Sequence, residues 1–234
     1  MRKLLLAAAA IAAVVIAIVV IAVHRPTAEH SETNDAAPAA VPSASSGSDD
    51  RKLQELLNTR LSTTGAQLSV GLPATLTIDA ANGDTVYARV TMDELTKLPA
   101  DQVGAVLQQR SALAGYDTVW TMPVSLTVLG VVDEDGTHVE PTAALTASDL
   151  ARFTIATHPG ADQLPSANTL TSSGCPGLDS VSPIAAGRTL TWCIHAFADG
   201  SSNQPTGGQY ETSTGTYQTP ITWASKRYAA PEIP

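Results

Sequence analysis

The chain has 234 residues, enough for one or two domains, and a formal net charge of −9 from 22 acidic and 13 basic residues. That acidity excludes nucleic acid as an expected partner, because phosphate contacts need clustered Lys and Arg. The 44% hydrophobic content does not imply a large core, since one segment near the N-terminus inflates it.

That segment runs from Leu4 to Val23 without a charge or a proline. As a helix it would be about 30 Å long, the thickness of a bilayer's hydrocarbon core, and it shows no polar stripe. It is longer than the apolar stretch of a signal peptide and ends in Val23-His24-Arg25, not a small-x-small cleavage site. Residues 4–23 are therefore expected to be an uncleaved transmembrane anchor that uses the lipid bilayer as partner, with cleavage and secretion as the rival. Arg2 and Lys3 precede the run and make residues 1–3 a cytoplasmic stub, which places the C-terminal part outside the cell membrane.

Residues 24–48, including "AAPAAVPSASSGSDD", have the small, polar, proline-spaced composition of a disordered stalk. Residues 49–62 follow as a short helix. Leu53, Leu56, Leu57 and Leu61 recur at helical spacing behind Asp49 and Asp50. Too short to stand alone in water, it is expected to dock on the domain, with an oligomerisation helix as the minority reading.

From residue 67 to 224 the texture is β. "ATLTIDA" and "TVYARVTM" alternate around Asn82-Gly83-Asp84, a hairpin-type turn. In the second run Val86, Ala88, Val90 and Met92 face the core, and Tyr87, Arg89 and Thr91 face water. A helical insert, "LPADQVGAVLQQRSAL", aligns Val103, Val106, Leu107 and Leu113. Strands resume at Val119–Val132, at Leu150–Thr157, in "TLTWCIHAF" and in "TPITWA"; residues 201–219 are polar and expected to form a long hairpin loop, and 225–234 a tail. The sum is an all-β protein: an immunoglobulin-like antiparallel sandwich with one short helical insert behind a transmembrane helix.

Cys175 and Cys193 both fall in the exported part and are expected to form a disulfide. Two rivals involve His195, as third ligand of a metal site or as base beside a cysteine nucleophile. The first lacks a fourth ligand; the second needs a free thiolate. Asp133, Asp135 and Glu140 in "VVDEDGTHVEP" are a weak calcium candidate, against a plain turn at Asp135-Gly136. Trp120, Trp192 and Trp223 lie in β runs, where burial is the default and a ligand-facing aromatic platform the alternative. No P-loop, G-x-S-x-G elbow or H-E-x-x-H is present, so no catalytic residue and no cofactor is assigned.

Several of these stretches carry a resemblance. Tyr116 and Trp120 open the strand after the helical insert, Cys175, Gly187 and Cys193 frame a later strand, and Pro220-Ile221-Thr222-Trp223 closes the chain. From Gln67 to Ala224 the sequence resembles the secreted or membrane-anchored immunoglobulin-like, telokin-like domains of unknown function from actinobacteria. It departs from them in lacking a lipid-attachment cysteine after the apolar run, and in having "VVDEDGTHVEP" where an Asn-Gly turn is usual. The resemblance implies a sandwich, export and a disulfide, and brings no activity. The expected function is thus a non-enzymatic cell-surface module binding an unknown protein or glycan. The alternatives are a structural envelope component without a dedicated ligand, and a hydrolase whose triad assembles only in space.

Overall fold

A computed structural model describes residues 46–159, 161–178, 183–199, 204–213 and 215–226. The anchor and nearly all of the stalk expected at residues 4–48 lie outside the described residues. Among the described residues no helix is long and apolar enough to cross a membrane.

The strands in chain order are β1 (Gln67–Ser69), β2 (Ala74–Asp79), β3 (Thr85–Met92), β4 (Thr96–Lys97), β5 (Thr118–Val132), β6 (Val139–Glu140), β7 (Thr142–Ala143), β8 (Phe153–Thr157), β9 (Ser166–Ala167), β10 (Ile184–Ala185), β11 (Thr189–Ala198), β12 (Pro205–Tyr210) and β13 (Ile221–Ala224). Helices are α1 (Ser46–Leu57), α2 (Ala100–Leu107) and α3 (Ala147–Leu150). They build a two-sheet sandwich. One main sheet has the order β2-β3-β5-β11-β9, with β4 and β6 also on β5; the second has the order β1-β13-β12-β8, and β7 and β10 form a separate two-stranded ladder. All pairings are antiparallel except β1 with β13.

Alternation drives the sheets together, as period-2 patterning requires. Val86, Ala88, Val90 and Met92 on β3, and Met122, Val124, Leu126 and Val128 on β5, are all essentially inaccessible and share one core. Aromatic rings fill the space between the sheets: Trp192 on β11 meets Phe153 on β8 of the other sheet edge-on at 5.5 Å, and Phe153 lies 4.6 Å from Tyr210 on the neighbouring β12. Residues 201–219, expected as a loop, hold the whole of β12. Its Gly207 and Gly208 suppress the strand signal in sequence, yet Gly208 is what lets the sheets close. A Cβ there would sit 2.2 Å from the Met92 sulfur and 2.7 Å from that of Met122.

β5 carries Pro123 in mid-strand, where a missing N–H normally breaks a ladder. Its carbonyl accepts from the Asp93 N–H at 2.9 Å in the gap between β3 and β4. On the other side Pro123 faces Cys193, whose N–H turns away to the Pro176 carbonyl at 2.9 Å. The missing N–H of Pro123 therefore costs the β5–β11 ladder nothing, because Pro123 and Cys193 face each other as a non-hydrogen-bonded pair.

Gly208→Ala is expected to destabilise the domain by about 1–3 kcal/mol through overpacking of the Met92 and Met122 sulfurs, read as a lowered midpoint in urea unfolding.

Candidate functional site

The outer face of the larger sheet is covered at two places and wet between them. In the wet part Thr127 and Thr189 pair across β5 and β11, hydroxyl to hydroxyl, at 2.8 Å.

The first cover is a stapled segment. Residues 165–178 run along the free edge of β11, held by Phe197 N–H to the Pro165 carbonyl at 3.0 Å, by β9 against His195 and Ala196, and by Cys193 N–H to Pro176. Cys175 and Cys193 are joined in the disulfide expected from the sequence, with Cα atoms 5.5 Å apart. Beside it lies a second, smaller core in which α2 and the following turn bring Val103, Val106 and Leu113 onto Val119, Leu170 and Phe197. The helical insert thus supplies apolar cover for one end of an exposed sheet face, and β11 becomes buried on both faces from Trp192 to Ala198.

Cys193 and His195 point to the same side of β11, as residues two apart on a strand must. His195 is wholly buried, and its Nε2 lies 3.0 Å from the Ser172 hydroxyl. Its Nδ1 has no hydrogen-bond partner. The Thr121 hydroxyl, on the residue paired with His195 across β5, lies 3.3 Å from the Cys175 sulfur. Burial pulls the His195 pKa down to about 4, opposed only in part by the backbone of its ladder partner Ala167. The imidazole is therefore neutral at pH 7. It is not a third ligand to a Cys pair, because both sulfurs are spent on each other. Nothing in the sequence linked Ser172 to His195; the contact depends on the fold-back that the disulfide fixes.

The tryptophans are not ligand-facing. Trp120, Trp192 and Trp223 are 7%, 1% and 0% exposed and all lie in the main core. Even numbering on β5 and β11 puts the first two on the inner face. The Trp223 indole N–H is used by the Leu72 carbonyl at 2.9 Å. At the "VVDEDGTHVEP" turn, the Asp133 carboxylate accepts from the backbone N–H groups of His138 at 2.9 Å and Thr137 at 2.8 Å. The His138 bond leads the effects that lower its pKa. Its oxygens serve the hairpin between β5 and β6, with Gly136 at φ 73°, while Asp135 is exposed and Glu140 stands on β6. Among the described residues no group of three or more His, Cys, Asp or Glu side chains is placed to hold a metal ion.

The second cover is α1. Leu56 packs onto Gly130, where a Cβ would fall 2.4 Å from the Leu56 methyl. Leu56, Tyr87 and Val132 form a small cluster with Leu53, Leu61, Leu129 and Val139. Tyr87, expected on the wet face, is buried because α1 lies over it. A groove of about 610 Å³ runs between α1 and the strands β6 and β10.

No family model matches the chain, and no curated protein matches it. Among solved structures, the crystal structure of the secreted protein MPT63 from Mycobacterium tuberculosis is similar over 70% of this chain and 99% of that one, at 16% identity and a TM-score of 0.41.

Two outcomes test this site. Replacing Cys175 and Cys193 together by Ser should cost about 3 kcal/mol in the chain-entropy picture, measured by denaturant unfolding. His195 should make stability pH-dependent: with a folded pKa of about 4 against 6.5 for an ordinary histidine, the unfolded chain takes up the proton first. Its contribution is full above about pH 6.5 and falls away by about 3 kcal/mol as pH drops towards 4. His195→Gln should flatten the stability profile in that window.

Proposed function

We propose that the chain is a membrane-anchored, extracytoplasmic immunoglobulin-like module that binds a partner and catalyses no reaction. The observation that carries this is the buried Cys175–Cys193 bond. A structural disulfide of this kind belongs to a compartment that oxidises thiols, and here it secures the cover on which the smaller core depends. The apolar run at Leu4–Val23 provides the means of delivery and retention.

The hydrolase reading has one specific observation in its favour, the Ser172–His195 contact. A nucleophile–base pair needs a carboxylate or comparable side chain to orient the base, and none reaches His195 Nδ1. A base pulled down to about 4 is also poorly matched to proton abstraction at neutral pH. The same contact satisfies one end of a buried imidazole, which is reason enough for it structurally.

The test is a thiol count on protein taken from unreduced cells, with protease accessibility of the folded part in intact cells. No reactive thiol and cleavage from outside are the expected results; two free thiols and full protection would overturn export. An active-site serine probe should label neither the protein nor its Ser172→Ala variant differently; labelling that is lost in Ser172→Ala would restore the hydrolase.

A further inference from the structure

The groove beneath α1, at about 610 Å³, falls in the size range of binding pockets, about 300–1,000 Å³. Its floor is Leu56, Leu129, Gly130, Val139 and Pro141. Its rim is charged and mostly acidic: Asp49, Lys52 and Glu55 on α1, and Glu140 on β6. Lys52 lies 4.0 Å from Asp49, so that pair cancels itself. Glu55 and Glu140 have no ion-pair partner among the described residues. They leave two uncompensated carboxylates beside an apolar floor.

The groove is not a closed chamber. Asp49, Lys52, Glu55, Pro141, Ala185 and Ala186 are all exposed. An enclosed small molecule would have most of its surface buried; an open trough beside a helix suits a length of polypeptide that lays side chains into it. Leu57, one of two large apolar side chains standing exposed among the described residues, is on the same helix at 48%.

We infer that this groove is the binding surface of the module, and that its occupant is a basic amphipathic segment of another protein, with apolar side chains on the Leu129–Gly130–Val139 floor and Lys or Arg against Glu55 and Glu140. The inference rests on the binding role proposed above and names the partner's chemistry. Charge complementarity selects the sign: an anionic or neutral amphipathic segment would bury its apolar face but leave two carboxylates repelled or desolvated.

The experiment uses the full-length chain in zwitterionic nanodiscs, with empty discs as blanks, and three fluorescent 14-residue helical peptides: Leu/Lys amphipathic, Leu/Glu amphipathic and Ser/Lys. The Leu/Lys peptide should bind, and more weakly at 500 mM than at about 50 mM salt. The Leu/Glu and Ser/Lys peptides should bind at least tenfold less well. The double variant Glu55→Gln/Glu140→Gln and the groove-filling Ala186→Trp should each weaken the Leu/Lys peptide about tenfold. The control Asp93→Asn/Glu211→Gln, which removes equal charge elsewhere, should change it less than twofold, with all variants unfolding at the wild-type temperature. Equal binding to every variant, or Ser/Lys binding as tightly as Leu/Lys, would show diffuse charge attraction and overturn the groove. A crosslinked native partner whose capture ignores Ala186→Trp would also sink the groove while leaving the binding role intact.

Discussion

The ladder between β5 and β11 is the constraint from which the rest of the molecule follows. Ten residue pairs, from Thr118 with Ala198 to Thr127 with Thr189, run without a shift of register. A ladder that long fixes every side chain on both strands to one of two faces. The inner face is easily accounted for: Trp192, Ile194, Ala196, Trp120, Met122 and Val124 fill the core against β8, β12 and β13. The outer face is not, because β11 places Cys193, His195 and Phe197 there and β5 places Val119 there. A face with such residues needs cover. The helical insert and the stapled edge segment provide it, and the disulfide is the covalent tie between that segment and the ladder.

This explains why some of the fold was legible in the sequence and some was not. Alternation in "TVYARVTM" correctly assigned Val86, Ala88, Val90 and Met92 inward, because one period-2 signal and one hydrophobic core suffice for that inference. Tyr87 was misassigned for the opposite reason: its burial comes from α1, and no local pattern says where a helix from another part of the chain will lie. β12 was hidden by Gly207 and Gly208, residues that lower strand propensity while making the close sheet contact at Met92 and Met122. Of the candidate site, the Cys175–Cys193 pair was readable from compartment chemistry. The Ser172–His195 contact was not, since it needs the register of β9 on β11 and the fold-back to Cys175.

The three tryptophans carry the same lesson in reverse. Their chemistry invites a binding platform, but strand parity on β5 and β11, together with the Leu72 carbonyl that takes the Trp223 indole, turns all three inward. Among the described residues these three rings therefore belong to the core and not to the surface.

The two covers on the outer face differ in kind. At one end the cover is closed by a covalent bond, backbone pairing on both sides of β11 and a core of seven buried residues. Opening it would expose a buried imidazole and an apolar cluster together. At the other end α1 rests on Leu56 over Gly130 and on a cluster with only three buried members, and it leaves an unfilled groove beside it. Local stability follows buried contact, so the α1 end is the part of the outer face that opens at smaller cost, while the disulfide end holds the sheet in register. The asymmetry arises from where a single glycine, Gly130, interrupts the side chains of β5 and admits Leu56.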